Sequence, residues 1–382
     1  MQFSSILGQH PIKAHLVKSA DTGRIPHAQL FIGPEGCGTL PIAIAYAQYI
    51  LCSNTNGENT NGNESCNLKF QNLAHPDLHF IYPTESTEEV KSKPKSIDFI
   101  TEWREFVTKN PYGNLLDWYS FLGVQNKQGE IRVDDAQEIL KSLALKSYEG
   151  GHKVMIVWMA DKMNTAAANK LLKLLEEPPE KTIFLLITEN EEAIISTIRS
   201  RCQAIHFNGV PEEIIMDALQ NQHKLDQKSA QNLAHQAQGN YNKALHLLHQ
   251  DGDDLVFEEW FVVWVRAAFK AKGNAAAIQD LIQWSEQIAQ LGREKQKKFL
   301  EYCIEFFRQA LLLNYQAQQL VYFEPKVEKF KLENFAPFIH GNNINAIFTT
   351  LSDALYHIER NGNAKIILTD VSIQLTRLIH KK

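Results

Sequence analysis

The residues Gly33-Pro34-Glu35-Gly36-Cys37-Gly38-Thr39-Leu40 follow a short apolar run, AQLFI at 28–32, and lead into an Ala-rich stretch. Glycines placed between a strand and a helix let successive backbone N–H groups face an anion, the arrangement that cradles phosphate. Nucleotide hydrolysis asks for more. In the pattern G-x-x-x-x-G-K-[ST] the lysine neutralises the β- and γ-phosphates and the hydroxyl holds Mg²⁺. Here Thr39 stands at the lysine position and Leu40 at the hydroxyl position. Gly33, Gly36, Gly38 and Thr39 are thus candidate phosphate-loop residues of a degenerate kind, and the same glycines serve equally to make a tight strand-to-helix turn. A second place shows the same pattern of loss. The run KVMIVWM at 153–159 ends on Trp158 and Met159, where an ATPase needs two carboxylates, one for Mg²⁺ and one for the attacking water. Asp161 comes too late for that role and is expected near the next helix N-terminus.

These residues need a scaffold, and the first 208 residues supply an α/β pattern. The runs 28–32, 78–82, 153–159, 182–188 and 204–207 are candidate strands, separated by helix candidates at 39–52, 97–108, 134–147, 164–177 and 191–199, with Asp134 and Asn164 as plausible caps. Such alternation predicts a parallel sheet covered by helices. The segments 53–65, rich in Asn and Gly, and 84–96, charged and carrying Pro94, are expected as mobile surface loops. Beyond Val210 the spacing turns helical, over 211–220, 254–272, 295–322 and 364–379, with breaks at Gly239-Asn240 and Asp251-Gly252. The expected organisation is 1–208 as the sheet domain, 209–252 as a small helical domain and 253–382 as an all-α domain.

Composition bounds the rest. At 382 residues, 44% hydrophobic and 22% charged, the chain is long enough for two or three domains with ordinary cores, so a small scaffold and wholesale disorder are excluded. Net charge is −5, so no global positive field draws the chain onto nucleic acid, and any DNA contact must be local or shared with partners. The longest apolar run, Val154 to Ala160, is far too short to span a bilayer, and a cytoplasmic protein without membrane contact is expected. Five scattered cysteines, Cys37, Cys52, Cys66, Cys202 and Cys303, suggest reduced thiols rather than a disulfide framework. Alternating charge over 293–298 reads as a solvated helix face. The aromatics Trp103, Tyr112, Trp118, Tyr119 and Phe121, interleaved with leucines, read as packing residues before they read as base-stacking ones.

The stretch 153–207 resembles the bacterial clamp-loader subunits of DNA polymerase III, most closely their delta-prime branch. The residues that carry the likeness are Asn169-Lys170-Leu171-Leu172-Lys173, Leu175-Glu176-Glu177-Pro178-Pro179 and Ser200-Arg201-Cys202, supported by Gly8-Gln9, Arg24-Ile25-Pro26-His27-Ala28 and His75-Pro76-Asp77. Over the C-terminal helices the likeness is thin, resting on Gly239-Asn240 and Lys243-Ala244-Leu245. The resemblance implies an AAA+ module, made of a RecA-like sheet domain and a helical lid, followed by an all-α collar that holds a hetero-oligomeric ring. It implies partners: gamma/tau ATPase subunits, a delta subunit, the sliding clamp, and primer-template DNA through the assembled complex. It further implies that Arg201, flanked by the interface residues Ser200 and Cys202, acts in trans as an arginine finger on a neighbour that binds the ATP and Mg²⁺, while this chain holds no cofactor of its own.

Departures from the family pattern point the same way. Only Cys52 and Cys66 remain where relatives often carry four zinc-binding cysteines, and with His75 as the sole further ligand no structural zinc or other metal is expected. The lid arginine of active relatives is matched by Asn242, and the polar residue near the γ-phosphate by Thr188, which as a strand end also fits a solvated position. The alternative reading is an ATP-hydrolysing gamma/tau-type motor in which Thr39 and shifted acids still support Mg-ATP.

Overall fold

The computed structural model describes residues 1–53, 63–124, 129–144, 147–148, 151–249, 254–321, 323, 325–327 and 330–381. The chain divides into two compact units, the first comprising Met1–Val124 and Gly129–Leu245, the second His246–Lys382.

The first unit is built on a parallel sheet of β1 (Ala28–Ile32), β2 (Leu78–Ile81), β3 (Lys153–Val157), β4 (Thr182–Thr188) and β5 (Gln203–His206), in the order β2-β3-β4-β1-β5. Every residue of β1, β3 and β4 is buried, as continuous apolar runs covered on both faces demand. On β5 at the edge only Ile205 is buried. The register pairs Ile32 with both Thr188 and His206, which places the loop after β1 beside the carboxyl end of β4. In an open parallel sheet that end is where ligands gather.

The helices of this unit are α1 (His10–Asp21), α2 (Thr39–Cys52), α3 (Glu64–Gln71), α4 (Ile100–Lys109), α5 (Leu115–Phe121), α6 (Val133–Ala144), α7 (Thr165–Glu176) and α8 (Ser196–Arg199), then α9 (Glu212–His223), α10 (Gln227–Ala237) and the first residues of α11 (Tyr241–His249), which the unit boundary after Leu245 divides. Asn164 caps α7 by accepting from the Ala167 N–H at 2.9 Å, and Leu171, Leu174 and Leu175 pack its inner face with Met155, Phe184 and Leu186 of the sheet. Pro178-Pro179 stops the helix, since proline cannot extend the hydrogen-bond ladder. The parallel sheet covered by helices, with further helices after it, matches the fold class expected from the sequence; α9, α10 and the start of α11, expected as a small lid, fall in one unit with the sheet.

The second unit is all-α: α12 (Asp254–Lys270), α13 (Ala275–Ala289), α14 (Arg293–Asn314), α15 (Leu332–Phe335), α16 (Ile344–Glu359) and α17 (Ala364–Ile379). Its core stacks Trp264 on Trp284, centroids 4.9 Å apart, with Phe261 against Phe306, and the Trp264 indole donates to Ser372 Oγ at 2.8 Å. Aliphatic side chains such as Leu281, Ile288, Ile347, Leu351, Leu368 and Leu375 fill the core around these rings.

Several expectations are corrected. Cys52 and Cys66 form a disulfide, because the end of α2 packs beside α3 and brings their Cα atoms to 5.5 Å; Cys37, Cys202 and Cys303 are free. Asp134 lies inside the first turn of α6 rather than capping it. The segment 84–96 is anchored, not loose: Thr84, Pro94 and Ser96 are buried, and Ser96 N–H donates to Asp135 Oδ1 at 2.7 Å, while only its middle is exposed. Residues 54–62 of the other proposed loop, and Asp251-Gly252, lie outside the described residues. The expected helix 191–199 is instead a 3₁₀ turn at 191–193, capped by the Asn190 side chain accepting from the Glu192 and Ala193 N–H groups, and then α8, the two separated by the extended backbone of Ile194 and Ile195. The face at 293–298 is not wholly solvated either, for Glu294 and Gln296 are buried.

Candidate functional site

Gly38, at φ +97°, ends the glycine loop in a left-handed turn that opens α2. A side chain at Gly33 would drive into Cys37 Sγ and Phe207 Cβ, both 2.7 Å from the added carbon, so the turn can close only on glycine. Gly36, at φ +70°, has its open face filled by the Asn240 side chain. The glycines thus make a tight strand-to-helix turn, and the residue types around it do not suit a Mg-triphosphate. Thr39 offers no cation, and Leu40, buried in the first turn of α2, stands where a metal-binding hydroxyl would be needed. Glu35 and Glu189 both line the space above the loop, together with Tyr112 and Trp158, and carboxylates there repel phosphate oxygens. Burial, helped by Glu189 and opposed by hydrogen bonding, pushes the Cys37 thiol up to about 12, so it is no nucleophile.

The end of β3 tells the same story. Trp158 is buried, with Trp103 5.1 Å away, in a cluster that includes Phe106, Trp118 and Tyr82. The aromatics singled out in the sequence are thus mainly core: Trp103, Trp118, Tyr119 and Tyr112 are buried and Phe121 lies at the margin. Asp161 does not reach the nucleotide position; it accepts from Thr188 Oγ1 at 2.9 Å and pairs with Lys162 at 2.9 Å. Thr188 is fully buried rather than solvated, its oxygen also accepting from the Asn190 N–H.

Sequence reasoning missed the contacts that close the lid over the loop. Asn240 Nδ2 and Asn114 Nδ2 both donate to Glu35 Oε1, at 3.0 and 3.1 Å; Asn242 Nδ2 donates to Asp117 Oδ2 at 2.7 Å; and the Tyr241 N–H donates to the Gly36 carbonyl at 3.2 Å. Asn114 and Asp117 form a reciprocal capping box at the start of α5. The N-x-x-D spacing was readable as a cap, but nothing local pointed to its partner in the lid.

Arg201 sits in the turn between α8 and β5. Its Nη2 lies 2.7 Å from Glu176 Oε1 at the end of α7, and its Nη1 donates to the Thr197 carbonyl at 3.0 Å and weakly to Ser200 Oγ. The side chain is 37% exposed and Glu176 42%, so the pair is at the surface. Ser200 points to solvent, whereas Cys202 packs inward, its thiol pushed up to about 11 by burial.

A family model described as "DNA polymerase III, delta subunit" matches residues 8–211, more than half of the chain. The chain belongs to this family. Among curated relatives, DNA polymerase III subunit delta' of Bacillus subtilis is 29% identical over 53% of this chain and 49% of its own length, and that of Escherichia coli 28% identical over 62% and 58%. DNA polymerase III subunit gamma/tau of Mycobacterium tuberculosis is 31% identical over 55% of this chain and 29% of its own length. The chain spans about half the length, or less, of such relatives. In this member of the delta-subunit family no group of three or more His, Cys, Asp or Glu side chains is gathered as a metal site among the described residues, and no helix there is long and apolar enough to cross a membrane.

Proposed function

We propose that this chain is a non-hydrolysing, delta-prime-like subunit of a DNA polymerase III clamp loader, which presents Arg201 to the nucleotide pocket of a neighbouring gamma/tau-type ATPase. Its own pocket is the observation that carries the reading: Thr39 and Leu40 replace the cation and the metal ligand, Trp158 stands where the acidic pair is needed, and Glu35 and Glu189 line the remaining space. Arg201 has the complementary properties. A guanidinium stays protonated, its planar fork matches phosphoryl oxygens, and a finger of this kind accelerates turnover by ~10³–10⁵. The pair with Glu176 is half-exposed, and such surface pairs are worth ~0–1 kcal/mol. Transfer of the guanidinium from that carboxylate to a developing phosphoryl charge is therefore easily driven. In this reading the chain works in the cytoplasm within a hetero-oligomeric ring with delta, loads the sliding clamp on primer-template DNA, and needs neither ATP nor zinc of its own.

The test has two arms. The isolated chain, titrated with Mg-ATP in a calorimeter, shows no saturable binding and no DNA-stimulated hydrolysis. Arg201→Ala, returned to a reconstituted loader, depresses ATP turnover at least tenfold at the site it faces. Unchanged turnover overturns the finger, and Mg-dependent turnover by the chain alone favours the gamma/tau-type motor.

A further inference from the structure

We infer that Asp117 and Glu35 act as built-in substitutes for nucleotide phosphates, anions of the chain itself that hold the lid closed on the glycine loop without any ligand. Five side chains carry this. Asn242 is 4% exposed and donates to Asp117 at 2.7 Å across 125 residues of sequence; Asn240 donates to Glu35 at 3.0 Å across 205. Asn114 joins the two acids: its backbone N–H donates to Asp117 Oδ2 at 2.9 Å and its side chain to Glu35 at 3.1 Å. The result is one connected network of charge-assisted bonds running from the lid through α5 to the loop, with the Tyr241–Gly36 backbone bond between its two ends.

Charge logic favours this assignment over incidental packing. Two carboxylates beside a glycine loop are costly unless their oxygens are occupied, and here each receives amide donors. A ligand shifts a hinge only through contacts that differ between its states. When the anion is part of the chain, the closing contact is intramolecular and always present, so the lid has no unbound state to return to. The space agrees: Asn240 fills the open face of Gly36, and Tyr112 packs edge-on against Tyr241 with centroids 5.0 Å apart. The lid's angle to the sheet is thereby fixed by residues of the chain and made indifferent to ATP.

Hydrogen exchange followed by mass spectrometry on the full chain tests this. In the wild type, amides of α9–α11 exchange at the same rate with and without Mg-ATP. Asn242→Asp sets two carboxylates against each other and accelerates exchange in α9–α11 by ~10–100-fold, while β3 and β4 stay protected. The swap Asn242→Asp with Asp117→Asn reverses donor and acceptor and restores protection. Unchanged exchange in Asn242→Asp, or a swap that fails to restore it, overturns the inference; so does acceleration that extends equally into β3 and β4, since the network then supports the whole unit rather than the lid. Should Asn242→Asp not fold, Asn242→Ala carries the same comparison with a smaller expected rise. Because exchange is read on the chain alone, these outcomes are independent of whether Arg201 serves a neighbour.

Discussion

Arg201 Nη2 rests 2.7 Å from Glu176 Oε1, joining the turn before β5 to the last residue of α7. The contact links two of the three motifs that carry the family likeness in 153–207, Leu175-Glu176-Glu177-Pro178-Pro179 and Ser200-Arg201-Cys202. If Arg201 serves a neighbour as proposed, Glu176 is the carboxylate that holds its guanidinium until then.

Glu176→Gln tests that role. An exposed pair of this type is worth ~0–1 kcal/mol, so the urea midpoint of the variant stays close to the wild type. If the carboxylate competes with phosphate for the guanidinium, turnover of the reconstituted loader is unchanged or raised by up to about fivefold, the equivalent of 1 kcal/mol. A tenfold fall in turnover would show that Glu176 helps the finger at work rather than at rest.

Restoring the missing signature residues will not restore nucleotide binding. Thr39→Lys with Leu40→Ser brings back the lysine and the hydroxyl, but Glu35, Glu189 and Trp158 remain around them. Calorimetry on the double variant is expected to show no Mg-dependent ATP affinity tighter than ~1 mM, and emptying the buried Leu40 site costs ~2–5 kcal/mol of stability. A micromolar dissociation constant would mean that the two substitutions alone disabled the loop.

Two glycines with similar backbone angles separate strain from crowding. Gly23 has φ +66° with nothing within 4 Å of an added carbon, whereas Gly36 has φ +70° with Asn240 in the way. Gly23→Ala is expected to cost ~1 kcal/mol for its left-handed conformation. Gly36→Ala adds the displacement of Asn240 and costs ~2–3 kcal/mol in total, read from urea midpoints. Equal losses would show that Asn240 moves aside freely.

Burial, and then the nearby Lys153, lower the pKa of His79 on β2 below the ordinary histidine value, with Asp77 opposing. The unfolded chain therefore binds a proton that the folded chain refuses. Stability is unaffected above the unfolded value of about 6.5 and falls as pH drops below it, by at most ~1.4 kcal/mol per pH unit for this one group. His152 is lowered by burial and Lys181 and adds a slope of the same sign. His79→Gln should flatten, without abolishing, the loss of urea stability between pH 7 and pH 5.5; an unaltered slope would remove His79 from the account.

How much of this was legible depended on whether the cause was local. Strands β1 and β4 coincide with the runs 28–32 and 182–188 because a strand buried on both faces leaves an uninterrupted apolar signature. The chemical losses at Thr39, Leu40 and Trp158 were equally plain, each being a residue type at a known offset. The disulfide was not, since Cys52 and Cys66 meet through the packing of α3 on α2. Nor were the contacts of Asn240 and Asn242, read locally as a break and as the position of a lid arginine, since each meets its acid more than a hundred positions away. Helix 191–199 failed at Ile194 and Ile195, whose extended backbone separates the 3₁₀ turn from α8 while Ile194 packs into the core.

Trp158 carries a consequence for what this chain could ever become. Its indole stands where hydrolysis would need acid, and Trp103 and Phe106 are packed around it. Exchanging it for aspartate would bury a charge among rings and leave a void besides, so a route of single substitutions back toward catalysis passes through chains that scarcely hold together. The lack of an acidic pair at the end of β3 is thus fixed by the architecture of the interior and not by one exchangeable surface residue.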